Sequence, residues 1–419
     1  MPCPALPNAR TLVLTASLIM SVSVQWVAAD DDWKQFRGPG GCSAAEGELP
    51  TEFDETKNIA WKTELPAKGA SSPIVVGDKV FVTCSGGIGQ STLYTVCIDA
   101  QTGKKLWTQK FLATGRCFVH SLSANAAPTP ASDGQRVYAF YSSNDLACMD
   151  LDGNLLWYRG LAFDRPKAGN DVGMSSSPVV ADGVVVAQVE NQGDSFCVGL
   201  DALTGETRWT LNRPAEAVWA SPLVVKSGDR NFVLLQSKTG IDLVDIKTGE
   251  VLDHVDGDTS SVSSAAVVGD SIFAPINGTS AFKFSSDGKL ELQWNTPRMR
   301  PASMSTIVVD GKLYTLNKTG VLTTYNASDG KEISAARAIK GSNWATPILV
   351  NGYLYSFTQN GETFVIKLPT DADNKAEVVS RHEFTDEVFL GSPAVADNAL
   401  YFRSNNALWK MSKPSELAD

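Results

Sequence analysis

The chain has 419 residues, a formal net charge of −10 and 43% hydrophobic residues, with 34 glycines and 20 prolines. An acidic balance of this size argues against nucleic acid and against an anionic membrane surface as partners. No segment carries the apolar period of a long amphipathic helix, so the chain reads as all-β, in spite of a length that ordinarily suggests two or three domains.

The first 29 residues differ in kind from the rest. Arg10 precedes TLVLTASLIMSVSV, an apolar run too short and too rich in Ser and Thr to anchor well in a bilayer, and the small residues of VAAD follow. This pattern predicts a signal peptide over residues 1–29, cleaved after Ala29. The mature protein is then expected to be exported to the periplasm or the extracellular side, soluble and without a transmembrane segment. Cys3 lies before the apolar run, so no lipoprotein acylation is expected. Residues 30–57, opening DDDWKQFRGPGG, form a lead-in.

From residue 58 to 413 one unit recurs. NIAWKTEL, carrying Trp61, comes first, and eight units follow, beginning at Ser72-Pro73, Ala127-Pro128, Ser177-Pro178, Ser221-Pro222, Ser264-Ala265, Ser305-Thr306, Thr346-Pro347 and Ser392-Pro393. Each has a β-branched run, a turn of Gly, Asp or Asn, and a second apolar run, as in PIVVGDKVFVT and TIVVDGKLYTL. Two such runs joined by these residues predict a hairpin.

A second hairpin follows in most units, in the form acid, Thr or Ser, Gly, then Trp. DAQTGKKLW ends at Trp107, DLDGNLLW at Trp157, DALTGETRW at Trp209 and SSDGKLELQW at Trp294. The glycine supplies a positive φ while Asp and Thr oxygens bond turn amides. With Trp61, these tryptophans recur on one face of an outer strand and are expected to pack between neighbouring sheets. The last unit holds three strands before the tail at 414–419, and the NIAWKTEL strand would supply its fourth. The seven intervals from Pro73 to Pro393 average about 46 residues, the spacing of four-stranded propeller blades. The predicted fold is an eight-bladed, all-β propeller of antiparallel blades, closed by an N-terminal strand.

Six cysteines remain beyond the leader, and their spacing leaves the connectivity open. Cys84 and Cys97 lie on successive strands and could pair. Cys148 and Cys197 sit at apolar strand positions and read as buried small hydrophobes.

The DxxTGxxxW strands, the Ser-Pro unit starts, the Trp61 strand and the QFRGPGG…LP…NIAWK…LP opening together resemble the PQQ-like (pyrrolo-quinoline quinone) β-propeller repeat family, in particular its secreted bacterial members. The resemblance covers roughly residues 33 to 413. It implies the propeller fold and one of two functions. Quinoprotein alcohol dehydrogenases hold a quinone against a Trp over the propeller axis, with Ca²⁺ bound by Glu, Asn and Asp beside an Asp base. BamB-type propellers are non-catalytic and bind proteins in the envelope. This chain lacks both the adjacent cysteines and the CxxCH haem motif found in members of the dehydrogenase branch, and it is shorter than the large dehydrogenases.

Any site is expected in the loops that join one blade to the next, since loops on a rigid scaffold usually carry function. ATGRCFVHSLSANAA offers Arg116, His120 and Asn125, and FDRPKAGNDVGMSS offers Asp171. Trp219, Arg300, Trp344 and Glu387 come from later loops. His120 and Asp171 are the acid–base candidates. Arg116, Asn125, Trp219, Arg300 and Trp344 are candidates for a planar cofactor such as PQQ, and Asp171 and Glu387, with Asp256 and Asp258, for calcium. Each also has a packing or surface role open to it. The expected function is an exported scaffold that binds an envelope or extracellular protein; the alternative is a PQQ- and Ca²⁺-dependent oxidoreductase using the axial pocket.

Overall fold

The computed structural model describes residues 32–169, 171–317, 319–339, 343–369 and 376–414; the expected signal peptide lies outside them. Eight sheets of four antiparallel strands form the blades of a propeller. Blade 1 runs Ile74–Val76, Lys79–Gly86, Thr92–Asp99, Lys105–Leu112 from the inner to the outer strand. Blades 2 to 7 repeat this order over residues 131–160, 179–212, 223–256, 266–296, 307–337 and 348–383. Blade 8 takes Ala394–Ala396, Ala399–Arg403 and Ala407–Ser412, and Ile59–Glu64 pairs antiparallel with the last of these. Among the described residues the only helical pieces are 3₁₀ turns at Pro39–Gly41 and Ile88–Gln90, and no helix is long and apolar enough to cross a membrane.

The hydrophobic pattern follows from the stacking of blades. Second and third strands are covered on both faces by neighbouring blades, so Val184–Val189 is buried at every position. Outer strands meet water on one face, and Lys105–Leu112 accordingly alternates.

Three kinds of contact join the blades. The first uses the residue that opens each inner strand. The Ser72 amide donates to the Thr129 hydroxyl, and the chain of bonds continues from Thr129 to Ser177, Ser221, Ser264, Ser305, Thr346 and Ser392, at 2.9–3.1 Å per link. In blade 2 this position is Thr129 and not Ala127, because Pro128-Thr129-Pro130 holds two overlapping starts and only Thr129 offers the hydroxyl. Ser264 and Ser305 keep the link without a following proline.

The second contact is made by the outer-strand tryptophans. The indole N–H of Trp61, Trp107, Trp157, Trp209 and Trp294 donates to a backbone carbonyl in the next blade's turn, respectively that of Ala100, Leu151, Ala202, Ile246 and Ala327, at 2.9–3.1 Å. The turn glycine of that next blade lies against each ring. At Gly103, where φ is +73°, an added Cβ would fall 2.7 Å from the Trp61 ring. The joint thus needs glycine both for backbone conformation and for space. Blade 4 has Leu252 in place of tryptophan, against Gly288.

The third contact is the lead-in, which crosses one mouth of the ring as a strap and touches the blades in order. Trp33 exchanges two backbone bonds with Val75 of blade 1, and the Lys34 carbonyl accepts from Ser132 of blade 2. Phe36 lines a cavity with Pro178 of blade 3, and Gly41 sits under Leu223 of blade 4. The Cys42 thiol bonds to the Val267 carbonyl of blade 5, and the Cys42 carbonyl accepts from Val308 of blade 6. Ala44–Ala45 adds a parallel strand to blade 7, and the Glu48 amide bonds to Asn398 of blade 8.

Arg37 projects from the strap into the ring and is fully buried. Its guanidinium donates to the carbonyls of Ser264, Ala265 and Thr306 and to the Ser43 hydroxyl. Desolvation lowers its affinity for a proton, to a value of about 10. Between blades 8 and 1 a second buried arginine, Arg403, donates to the Ser71 hydroxyl and the Thr83 carbonyl.

All six described cysteines are free. Cys84 and Cys97 do not pair: Cys84 lies opposite Tyr94 and Cys97 opposite Phe81, and their thiols enter different core clusters on opposite faces of the sheet. Cys148 and Cys197 are fully buried.

Candidate functional site

The face opposite the strap carries the blade-to-blade loops. Loop 113–125 folds over blades 1 and 2 because Asn125 brackets them. Its side-chain oxygen accepts from the Ser143 amide at 2.7 Å, its amide nitrogen donates to the Gln90 carbonyl at 3.3 Å, and its backbone N–H donates to the Gln90 side chain at 2.9 Å. Asn125 is fully buried in this role.

Four candidates are brought together by three successive loops. Arg116 pairs with Asp171 at 2.9 Å, with both side chains well exposed, and its guanidinium lies over Phe118. The His120 amide donates to the Val172 carbonyl, and its ring Nδ1 accepts from the Leu122 amide at 3.1 Å. The Trp219 indole donates to the Gly173 carbonyl at 2.8 Å. Arg116, His120, Asp171 and Trp219 therefore stitch loops 113–125, 161–176 and 213–220 to one another.

The other candidates stand apart. Arg300 donates to the Pro297 carbonyl, and Trp344 is half exposed. Glu387 is buried and accepts from Lys62 at 3.4 Å. Asp258 pairs with Lys238 at 2.7 Å, which holds its carboxyl below the usual range, with a smaller contribution from Arg300. Asp256 pairs with His254.

These placements bear on the two groups that the family resemblance implies. A calcium ion needs six to eight oxygens, yet among the described residues no three His, Cys, Asp or Glu side chains gather closely enough to hold a metal. At the strap mouth Arg37 fills the space inside the inner strands, and the cavity beside it measures about 10 Å³, room for roughly one water. A tricyclic quinone does not fit there.

The loop face also carries exposed apolar side chains. Ile88 and Phe163 stand 94% and 89% exposed, and Phe118 and Leu122 of loop 113–125 are about half exposed. Large apolar side chains left exposed on the loops of one face are candidates for a contact surface.

A buried polar file between blades 3 and 4 had no signal in the repeat pattern. Glu190 is fully buried and accepts from Arg213 Nε at 2.6 Å. Arg213 also donates to Asp242, whose other oxygen lies 2.6 Å from His254 Nδ1, and His254 Nε2 lies 3.0 Å from Asp256. Its bonded partners lie 2 to 29 residues apart in the chain, and sequence position alone does not connect them.

Comparison with known proteins places this architecture. The family profile described as outer membrane protein assembly factor BamB matches residues 43–198 and 167–286. A polyvinylalcohol dehydrogenase of a Pseudomonas species is 26% identical over 168 residues, 36% of this chain and 24% of that protein. BamB of Moranella endobia is 26% identical over 145 residues, 34% of this chain and 33% of that protein. The chain thus spans a third or less of these two relatives. BamB of Yersinia pestis is 20% identical over 379 residues, 85% of this chain and 88% of that protein. Among solved structures, BamB from Moraxella catarrhalis superposes with a TM-score of 0.62 at 14% identity, covering 85% of this chain and 97% of that one. A europium-containing methanol dehydrogenase superposes at 0.67 with 11% identity, covering 89% of each. At these identities the structures testify to the fold.

Proposed function

Because this chain belongs to the family described as outer membrane protein assembly factor BamB, we propose that it is an exported, non-catalytic scaffold of the cell envelope that docks a protein partner on its loop face. The observation that carries this reading is the group of exposed apolar tips Ile88, Phe118, Leu122 and Phe163 on the loops of blades 1 to 3. In a chain of net charge −10, an apolar group of this kind is a liability unless it is covered in use. The polar candidates beside it, Arg116, His120, Asp171 and Trp219, bond to one another or to neighbouring backbone and so hold the loops in shape. They support the surface and are not assigned acid–base work.

A photo-crosslinking residue at Phe163, in protein expressed with its native envelope, is the direct test. Capture of a defined partner is expected there and not from Leu203, which is exposed on the turn side of blade 3. The variants Phe118→Ser and Phe163→Ser should lose that partner at unchanged thermal stability. Reconstitution with PQQ and Ca²⁺ is the opposing arm: saturable binding with dye-linked alcohol oxidation, abolished by His120→Ala or Asp171→Asn, would overturn the scaffold in favour of an oxidoreductase.

A further inference from the structure

The seam between blades 7 and 8 is built unlike the others. The third strand of blade 8, Ala407–Ser412, and its fourth, Ile59–Glu64, come from distant parts of the chain, so no turn joins them. Between blades 2 and 3 the corresponding turn closes the gap: its Ala202 carbonyl accepts from the Tyr138 hydroxyl at 3.3 Å and from the Trp157 indole at 3.1 Å. Tyr355 holds the place of Tyr138, each lying opposite the second residue after its hydroxyl link. With the turn missing, the Tyr355 hydroxyl donates to the Pro50 carbonyl of the lead-in at 3.1 Å. The outer strand of blade 7, Glu377–Glu383, brings no tryptophan to the gap. The lead-in fills the place of the turn only in part, and a cavity of about 650 Å³ remains. Small-molecule sites commonly measure about 300–1,000 Å³.

One wall of the cavity is apolar. Leu49 and Pro50 are buried in it, and Val350 lies opposite Tyr353 across the blade 7 hairpin, which puts both side chains on one face. Tyr353 is only half-buried, so its ring is open to stacking.

The polar lining is balanced in charge. Lys413 pairs with Glu48 at 2.9 Å and Lys57 with Glu52 at 2.5 Å, so an ionic ligand finds no unpaired charge to recognise. The side-chain amides of Asn58 and Asn351 donate to the Glu52 and Gly47 carbonyls at 2.7 and 2.8 Å, and their own oxygens remain to accept. Thr51 and Tyr353 add hydroxyls. Acceptors and donors are thus mixed without net charge, which suits a neutral ligand whose polar groups do both. Hydroxyl groups have that property.

We propose that this cavity is a saccharide-binding site, which takes a short neutral oligosaccharide with the apolar face of one ring against Tyr353 and its hydroxyls on the charged pairs and asparagines. A proline-rich segment would also suit the aromatic wall. It has few N–H donors, however, and would leave the carboxylate and amide oxygens unmatched. The cavity adjoins Ala44–Ala45 of the strap, which pairs with the same blade 7 hairpin, so the inference is independent of the loop face.

Saturation-transfer NMR on the whole protein tests it, with maltotriose, cellotriose, triacetylchitotriose and a tetraproline peptide as probes. At least one saccharide should saturate with a Kd of about 10 mM or below. Tyr353→Ala should weaken that binding about tenfold at unchanged melting temperature, and Tyr353→Phe, which keeps the ring and loses only the hydroxyl, about threefold. Failure of all three saccharides to saturate would overturn the proposal, as would binding of tetraproline alone. Unchanged affinity in both variants would put the saccharide elsewhere on the protein and overturn it as well.

Discussion

Trp61 of the last blade lies face-on to Gly103 of the first, its indole N–H bonded to the Ala100 carbonyl at 3.1 Å. This pair sits where the two ends of the repeat meet. Gly103→Ala forces a Cβ against the ring as well as a strained φ, and should cost about 1–3 kcal/mol. Gly77 shares the positive φ but has open space around it, so Gly77→Ala should cost only about 1 kcal/mol. Thermal unfolding of the two variants side by side separates crowding from backbone strain.

Removing Arg37 leaves three buried carbonyls and a hydroxyl without their donor. Arg37→Met should destabilise by about 2 kcal/mol or more, because unmade buried hydrogen bonds cost more than made ones contribute. Hydrogen exchange should quicken first at Trp33–Val75 and along Ile348–Val350, where the strap is bonded.

Stability should decline as pH rises through neutrality. The folded Glu190 carboxyl is raised to about 7 from its ordinary 4.5. Its contribution is therefore complete below about 4.5 and disappears as pH climbs through about 7, and the raised His254 imidazole acts in the same direction. Melting temperature across the range from about pH 5 to 8 should fall in the wild type and flatten in Glu190→Gln. Depressed turn carboxylates such as Asp201, held near 2 by Arg208 and turn amides, act oppositely, and only in strong acid.

Thiol reagents should find little to react with in the native fold. Cys84, Cys97, Cys148 and Cys197 are fully buried, and desolvation pushes the thiols of Cys97, Cys148 and Cys197 up to about 12. Rapid labelling of these four before denaturation would contradict the packing. Melting temperature should also be the same with and without reductant.

The propeller was legible because its joints are written in residues with few other uses at that spacing. The turn glycine and the tryptophan four positions on meet in different blades, yet both repeat, so the pattern carries the contact. The hydroxyl links were visible as blade starts, although Pro128-Thr129-Pro130 offered two frames and the bond selects Thr129. The strap was not legible. Trp33, Arg37 and Cys42 follow no period, and their partners in the blades lie from 42 to more than 260 residues away. The polar file escaped for the same reason: Glu190 and Arg213 directly follow strands of blade 3, Asp242 and His254 lie within strands of blade 4, and each looks individually like surface charge. Among the loop candidates, residue type pointed to chemistry, while geometry turned Asn125 into a bracket and Asp171 into a stitch.

The hydroxyl link recurs at seven seams and the indole joint at five, each in the same form, so nothing in either distinguishes a ring of seven, eight or nine. The strap is different, because its residues meet blades 1 to 8 in chain order with a dedicated partner on each. It works as a gauge of ring size. A chain with one blade too many would leave a strap residue facing the wrong partner, which makes the least repetitive part of the sequence the keeper of its number.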